Sequence, residues 1–130
     1  ATAPRTPRVA WCGHLDGMRA IRERDPAAVI WLPWADPQPP TADDLAELRP
    51  AVVNMPHLLV GRALVDAVHA RGAGVMCWTV DERPQMEWLA SIGVDAITTN
   101  DLPTLLDVLA RRAEDPVEAD ARAVAPAAER

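Results

Sequence analysis

The stretch LVDAVHARGAGVMCWTVDERPQMEWLASIGVDAITTNDLPTLL, residues 64–106, decides the fold. It reads as helix, strand, helix, strand, helix, each boundary carrying its own signal. Leu64, Val65 and Val68 share one helical face, and Gly72 sits where a helix ends in the left-handed conformation that glycine adopts most readily. GVMCWTV (74–80) is a short apolar run, and the next helix has Asp81 as its expected cap, Pro84 in its first turn and Gly93 at its end. DAITT (95–99) is a second short strand, followed by a helix that Asp101 and Pro103 open. Arg111 and Arg112 in its last turn suit the helix dipole.

Working outward, the same alternation extends towards the N-terminus. RVAWC (8–12), AVIWLP (28–33) and AVVNM (51–55) are three further apolar segments, and the five begin roughly 20 to 23 residues apart. Rich in Val, Ile and Trp and without alternation, they are expected to be strands buried on both faces, as in parallel sheets. LDGMRAIRER spaces Leu15, Met18 and Ile21 along one stripe and puts Arg19, Arg22 and Arg24 on the polar side. TADDLAEL pairs Thr41 with Asp44 in a capping-box variant, and Pro50 stops it. Five βα units in succession make an α/β protein with a parallel sheet, either an open doubly wound sheet or part of a (β/α)8 barrel. Residues 1–7 read as linker. From 114 to 130 the periodicity gives way to Ala, Pro and charge, which predicts a disordered tail.

Composition narrows the function classes. The 130 residues are 49% hydrophobic and 25% charged, as in an ordinary globular domain with a sizeable core. A net charge of -6 argues against a phosphate-backbone footprint and so against nucleic acid as partner. No apolar run approaches the roughly 20 residues of a membrane span, and the N-terminus has no apolar signal core. Cys12 and Cys77 lie in apolar runs without metal-ligand spacing, which predicts buried free thiols and a cytoplasmic protein.

In both parallel architectures chemistry gathers at the C-terminal ends of the strands. There this sequence places Cys12-Gly13-His14, Trp31 to Trp34, Asn54-Met55-Pro56-His57, Trp78-Thr79 and Thr98-Thr99-Asn100. It has no G-x-G-x-x-G, Walker A loop or G-x-S-x-G elbow. The acids nearest the rim, Asp81 and Asp101, read as helix caps. His69, in a last helical turn, reads as solvated. His14 and His57 lie in βα loops with no partner carboxylate in view. Trp88 reads as helix-to-sheet packing, and Trp78 is the candidate ligand contact.

Residues 64–106 resemble the end of the glycerophosphodiester phosphodiesterase family. The features that carry the resemblance are His69-Ala70-Arg71-Gly72, Trp78-Thr79-Val80 and Gly93-Val94-Asp95-Ala96-Ile97-Thr98-Thr99, in that order and at that spacing. RVAWCGHLDGMRAIRERDP looks like the family's fourth strand and helix, with Trp11 to His14 where a Ser-Phe pair and a small loop are usual. The resemblance implies an incomplete (β/α)8 TIM barrel, about its last five βα units, over residues 8–113. It also implies hydrolysis of glycerophosphodiesters to glycerol 3-phosphate and an alcohol, with a divalent metal (Mg²⁺ or Ca²⁺) and histidines as acid and base.

The family's His-Arg-Gly, Glu-x-Asp and third metal carboxylate belong to its first three strands, which have no counterpart here. The resemblance therefore implies neither a catalytic nor a metal residue in this chain, and it carries over one pocket residue, Trp78, as substrate-binding. Five units cannot close a barrel, so the expected partner is the missing N-terminal half or, through self-association, a second copy. The other reading is a non-catalytic half-barrel that serves as a binding or scaffold module.

Overall fold

The computed structural model describes residues 9–123; the expected linker at 1–7 and residues 124–130 of the expected tail lie outside them. In chain order the elements are β1 (Ala10–Trp11), α1 (Leu15–Arg24), β2 (Val29–Pro33), α2 (Ala42–Leu48), β3 (Val52–Pro56), a 3₁₀ turn (His57–Leu59), α3 (Arg62–Ala70), β4 (Gly74–Trp78), α4 (Arg83–Ser91), β5 (Ala96–Ile97), α5 (Leu102–Glu114) and α6 (Pro116–Arg122). The sheet runs β1-β2-β3-β4-β5, and every neighbouring pair is parallel. A doubly wound sheet reverses its order at a switch point. This one never does, so it is an arc of a βα barrel, and the open-sheet alternative falls.

Local sequence sets the helix ends. After α3, Ala73 N–H donates to Val68 O and Gly72 N–H to His69 O, with Gly72 at φ 84°. After α4, Val94 N–H donates to Leu89 O and Gly93 N–H to Ala90 O, with Gly93 at φ 90°. Both are Schellman ends, and both turn the chain straight into the next strand. At α2 the expected box forms: Asp44 N–H donates to Thr41 Oγ1 at 3.2 Å and Thr41 N–H to Asp44 Oδ2 at 2.7 Å. The end of α2 is closed by a residue from another helix. Arg22 donates to Leu48 O at 2.9 Å and Arg49 O at 3.3 Å, satisfying carbonyls the helix cannot pair itself.

The strands alternate in burial. Ile30, Leu32, Val53, Met55, Val75 and Cys77 are at most 5% exposed and form one core with Met18, Leu48, Val65, Val68, Met86, Leu89 and Val108 of the helices. Trp31, Val52, Asn54, Met76 and Ala96 face the other way and stay half-buried, while Val29 and Trp78 are exposed. The expectation of strands buried on both faces is thus corrected. Helices cover only the outer face, and an arc of five strands leaves the inner face of the barrel unfilled. Among the described residues both sheet edges are open too. Val9, Trp11 and Leu15 are exposed beside β1, and Leu102, Leu106 and Leu109 line α5 beside β5.

Two further expectations are corrected. Residues 116–122 are helical: Asp115 accepts from Glu118 N–H at 3.0 Å and Pro116 occupies the first turn, a start signal within a run that composition alone reads as tail. Arg112–Asp120 and Arg122–Glu118 ion pairs line the helix.

The other correction concerns the cysteines, which differ. Cys77 is buried and its thiol is pushed up to about 12 by desolvation, whereas Cys12, on the uncovered face at the sheet edge, is exposed. An alkylating reagent at pH 8 is expected to modify Cys12 alone in the native chain and both thiols in denaturant, read as mass added per chain. Equal native reactivity of the two would contradict this packing.

Candidate functional site

The C-terminal ends of the strands form the rim of the uncovered face. The last rung of the β3–β4 ladder pairs Pro56 with Trp78. Beyond it β3 turns into the 3₁₀ turn, which carries the His57 imidazole to the neighbouring strand, with Nδ1 3.2 Å from Trp78 O. The Trp78–Thr79 peptide is cis, and Trp78 is 43% exposed at the rim. On the far side, Val80 N–H donates to Thr98 O at 2.9 Å, tying the end of β4 to β5.

Asp81 does not cap α4, contrary to the sequence reading. The residue at the cap position is Glu82, whose side chain makes no capping bond. The Asp81 carboxylate instead accepts from Asn100 N–H at 2.8 Å, Asn100 Nδ2 at 3.0 Å and Thr99 Oγ1 at 3.2 Å. These bonds, the Asn100 N–H first among them, hold Asp81 below the usual carboxylate range, with a smaller contribution from the nearby His57. Asp101 does cap α5, accepting from Thr104 N–H at 3.1 Å.

The other strand ends are farther round the arc. Gly13, His14, Leu15, Leu32, Pro33 and Trp34 line an open cleft of about 410 Å³ at the ends of β1 and β2. Trp34 is fixed there by its Nε1–H bond to Gln38 O, 2.8 Å. Cys12 Sγ accepts from Asn54 Nδ2 at 3.3 Å across the uncovered face, while Asn54 Oδ1 is buried without a hydrogen-bond partner among the described residues. Trp88 packs against the core, as expected.

His69 is at the opposite end of the sheet, and it is not merely solvated. Its Nε2 lies 2.7 Å from Asp95 Oδ2, which also accepts from Val75 N–H at 2.7 Å. A Cβ on Gly74 would lie 3.2 Å from the same oxygen. His69, Gly74 and Asp95 thus form a structural clamp joining α3, β4 and the entry to β5. The pairing of His69 with Asp95 is invisible to sequence reasoning because it spans 26 residues.

A divalent metal is not accommodated by these residues. Among the described residues, no group of three His, Cys, Asp or Glu side chains converges. Asp81 and Asp101, the rim carboxylates, are already engaged by hydrogen bonds from the chain. The letters Glu-x-Asp occur at Glu23-Arg24-Asp25 and Glu118-Ala119-Asp120, but these lie at the end of α1 and within α6, not at strand ends. No helix among the described residues is long and apolar enough to cross a membrane.

Consecutive parallel βα units, with polar and aromatic groups gathered at the strand ends, define one arc of a βα-barrel protein. The glycerophosphoryl diester phosphodiesterase family matches residues 5–104, and the chain belongs to that family. A glycerophosphodiester phosphodiesterase of Arabidopsis thaliana is 30% identical over 95 residues, covering 72% of this chain and 29% of its own length.

Solved structures share the fold. A phosphodiesterase of Oleispira antarctica, in complex with the product sn-glycerol-3-phosphate, superposes with a TM-score of 0.75 at 13% identity, over 82% of this chain and 44% of that one. A glycerophosphodiester phosphodiesterase described for Galdieria sulphuraria gives a TM-score of 0.70 at 19% identity, over 79% and 44%. The chain therefore spans less than half the length of these relatives, as an incomplete barrel does.

Proposed function

We propose that this chain forms the last five βα units of a glycerophosphodiester phosphodiesterase, an enzyme that hydrolyses glycerophosphodiesters to glycerol 3-phosphate and an alcohol. The observation that carries the reading is the uncovered inner face, with Trp78 exposed at its rim, in a chain of this family. Trp78 contributes pocket wall, its indole offering a broad apolar surface to the substrate. The catalytic histidines and the carboxylates for Mg²⁺ or Ca²⁺ belong, on this reading, to the three units that complete the ring. The product held by the Oleispira antarctica relative supports the substrate class. The two unpaired thiols suit a reducing compartment such as the cytoplasm.

The partner that fits the open edges is a set of three parallel βα units, since eight strands close such a barrel. Lacking them, the isolated chain self-associates through β1 and β5, whose outer edges are unpaired among the described residues. The second reading, a non-catalytic scaffold, draws on the absence of a convergent ligand group among the described residues.

One experiment weighs the two readings: release of glycerol 3-phosphate from glycerophosphocholine, by the chain alone and by the chain joined to the first three βα units of a family barrel. The expected result is no turnover alone and metal-dependent turnover in the completed barrel. Turnover by the chain alone would defeat the assignment of the catalytic groups. A folded, substrate-binding but inert completed barrel would favour the scaffold.

A further inference from the structure

The geometry points to His57 as a positioning residue for the substrate wall, acting through the Trp78 carbonyl; its kinetic consequence rests on the functional reading above. A parallel ladder satisfies the carbonyls of one strand with N–H groups of the next. The β3–β4 ladder ends at Pro56 and Trp78. The chain after Pro56 leaves the sheet as the 3₁₀ turn, closed by Val60 N–H donating to His57 O at 3.1 Å. The imidazole takes over as donor to the carbonyl at the ladder's end, 3.2 Å away.

Because a carbonyl only accepts, Nδ1 must carry the proton. The neutral ring then keeps a bare lone pair on Nε2, and protonation at Nε2 leaves the Nδ1 bond intact. The contact is held in either charge state.

The far end of the same segment is fixed independently. Asp81, three residues after Trp78, is held by Asn100 and Thr99 at the end of β5. Residues 78–81 are thus pinned from β3 on one side and from β5 on the other. Of these two clamps, only His57 bonds the residue that bears the indole. Removing it releases the Trp78 carbonyl while the rung to Pro56, the Val80–Thr98 bond, the Asp81 clamp and the core beneath remain. That predicts a loss of substrate positioning without unfolding.

The first test uses the chain as it stands. Nitrogen-detected NMR of the neutral histidine rings is expected to show His57 as the Nδ1–H tautomer, its signals assigned by their disappearance in His57→Asn. An Nε2–H tautomer would overturn the proposal. Asparagine can place its Nδ2 donor near the Nδ1 position. His57→Asn should therefore leave the Trp78 indole resonance in place, whereas His57→Ala should move it.

In the completed barrel, His57→Ala is expected to raise KM for glycerophosphocholine about five- to tenfold, the worth of one lost hydrogen bond. kcat should stay within about twofold, and His57→Asn should restore KM. Equal KM values for the Ala and Asn variants would overturn the positioning role. A completed barrel inactive even with His57 would count against the functional reading, and the NMR result would still decide the contact.

Discussion

Leu89→Ala is expected to destabilise the chain by about 2–5 kcal/mol, the range for truncating a large aliphatic side chain in a core that cannot collapse around the gap. Leu89 is 1% exposed in the last turn of α4, and its carbonyl accepts the Schellman bond from Val94 N–H. The site is therefore fixed by packing and by the turn into β5, and neighbouring groups have little freedom to fill the cavity. A domain of this size has total stability of only about 5–15 kcal/mol, and here one sheet face adds little. The variant should show a much lower urea midpoint with an unchanged slope.

The matched control is Leu106→Ala. Leu106 is 56% exposed on α5, beside the open edge of the arc, and its truncation should cost below about 0.5 kcal/mol in the isolated chain diluted until it is monomeric. In a closed barrel the neighbouring helix would cover it and the cost would rise. Equal midpoints for the two variants of the isolated chain would refute the assignment of core and edge.

The order of elements was legible because its signals are local. Gly72 and Gly93 terminate helices through bonds that span only a few residues, and Thr41 and Asp44 cap within three. The parallel sheet followed from the strand-helix period. Whether the sheet was an open one or an arc of a barrel did not follow, because both give βαβα repeats. That choice depends on strand order, a tertiary property, and only the family-specific motifs of residues 64–106 pointed to it.

The errors have a common physical source. Apolar strands read as buried on both faces because a closed ring would bury both, and five units expose the face that such a ring would fill. Cys12 lies on that face, which is why an apolar neighbourhood in sequence did not mean a buried thiol. Asp81 had the spacing of a helix cap, yet its carboxylate is taken by Asn100, nineteen residues later. Local rules rank Asp as a cap, but they cannot see a competing donor brought in by the next strand. His57 lies in a βα loop, as its place after AVVNM predicts, but its contact is with a backbone carbonyl, and side-chain spacing carries no sign of it.

The largest functional effect is expected at Trp78. In the completed barrel, Trp78→Ala should lower kcat/KM for a glycerophosphodiester by about 10- to 100-fold, since burying an indole against a ligand is worth about 1.5–3 kcal/mol. The same change should hardly move the melting temperature, because the side chain is 43% exposed and outside the core cluster. Trp78→Phe, which retains an aromatic face of smaller area, should fall between.

The competing role is a plug that fills the barrel mouth once the ring closes. A plug would give the opposite pattern: a melting temperature several degrees lower in the completed barrel and kcat/KM nearly unchanged. The two roles separate because substrate can gain from the indole only where it remains accessible. The cross-strand ties on either side, His57 to the Trp78 carbonyl and Asn100 to Asp81, hold the strand end that presents the indole at the rim. A residue meant to pack into the ring would need no such fixing at the solvent edge, so the pattern of ties favours the pocket wall over the plug.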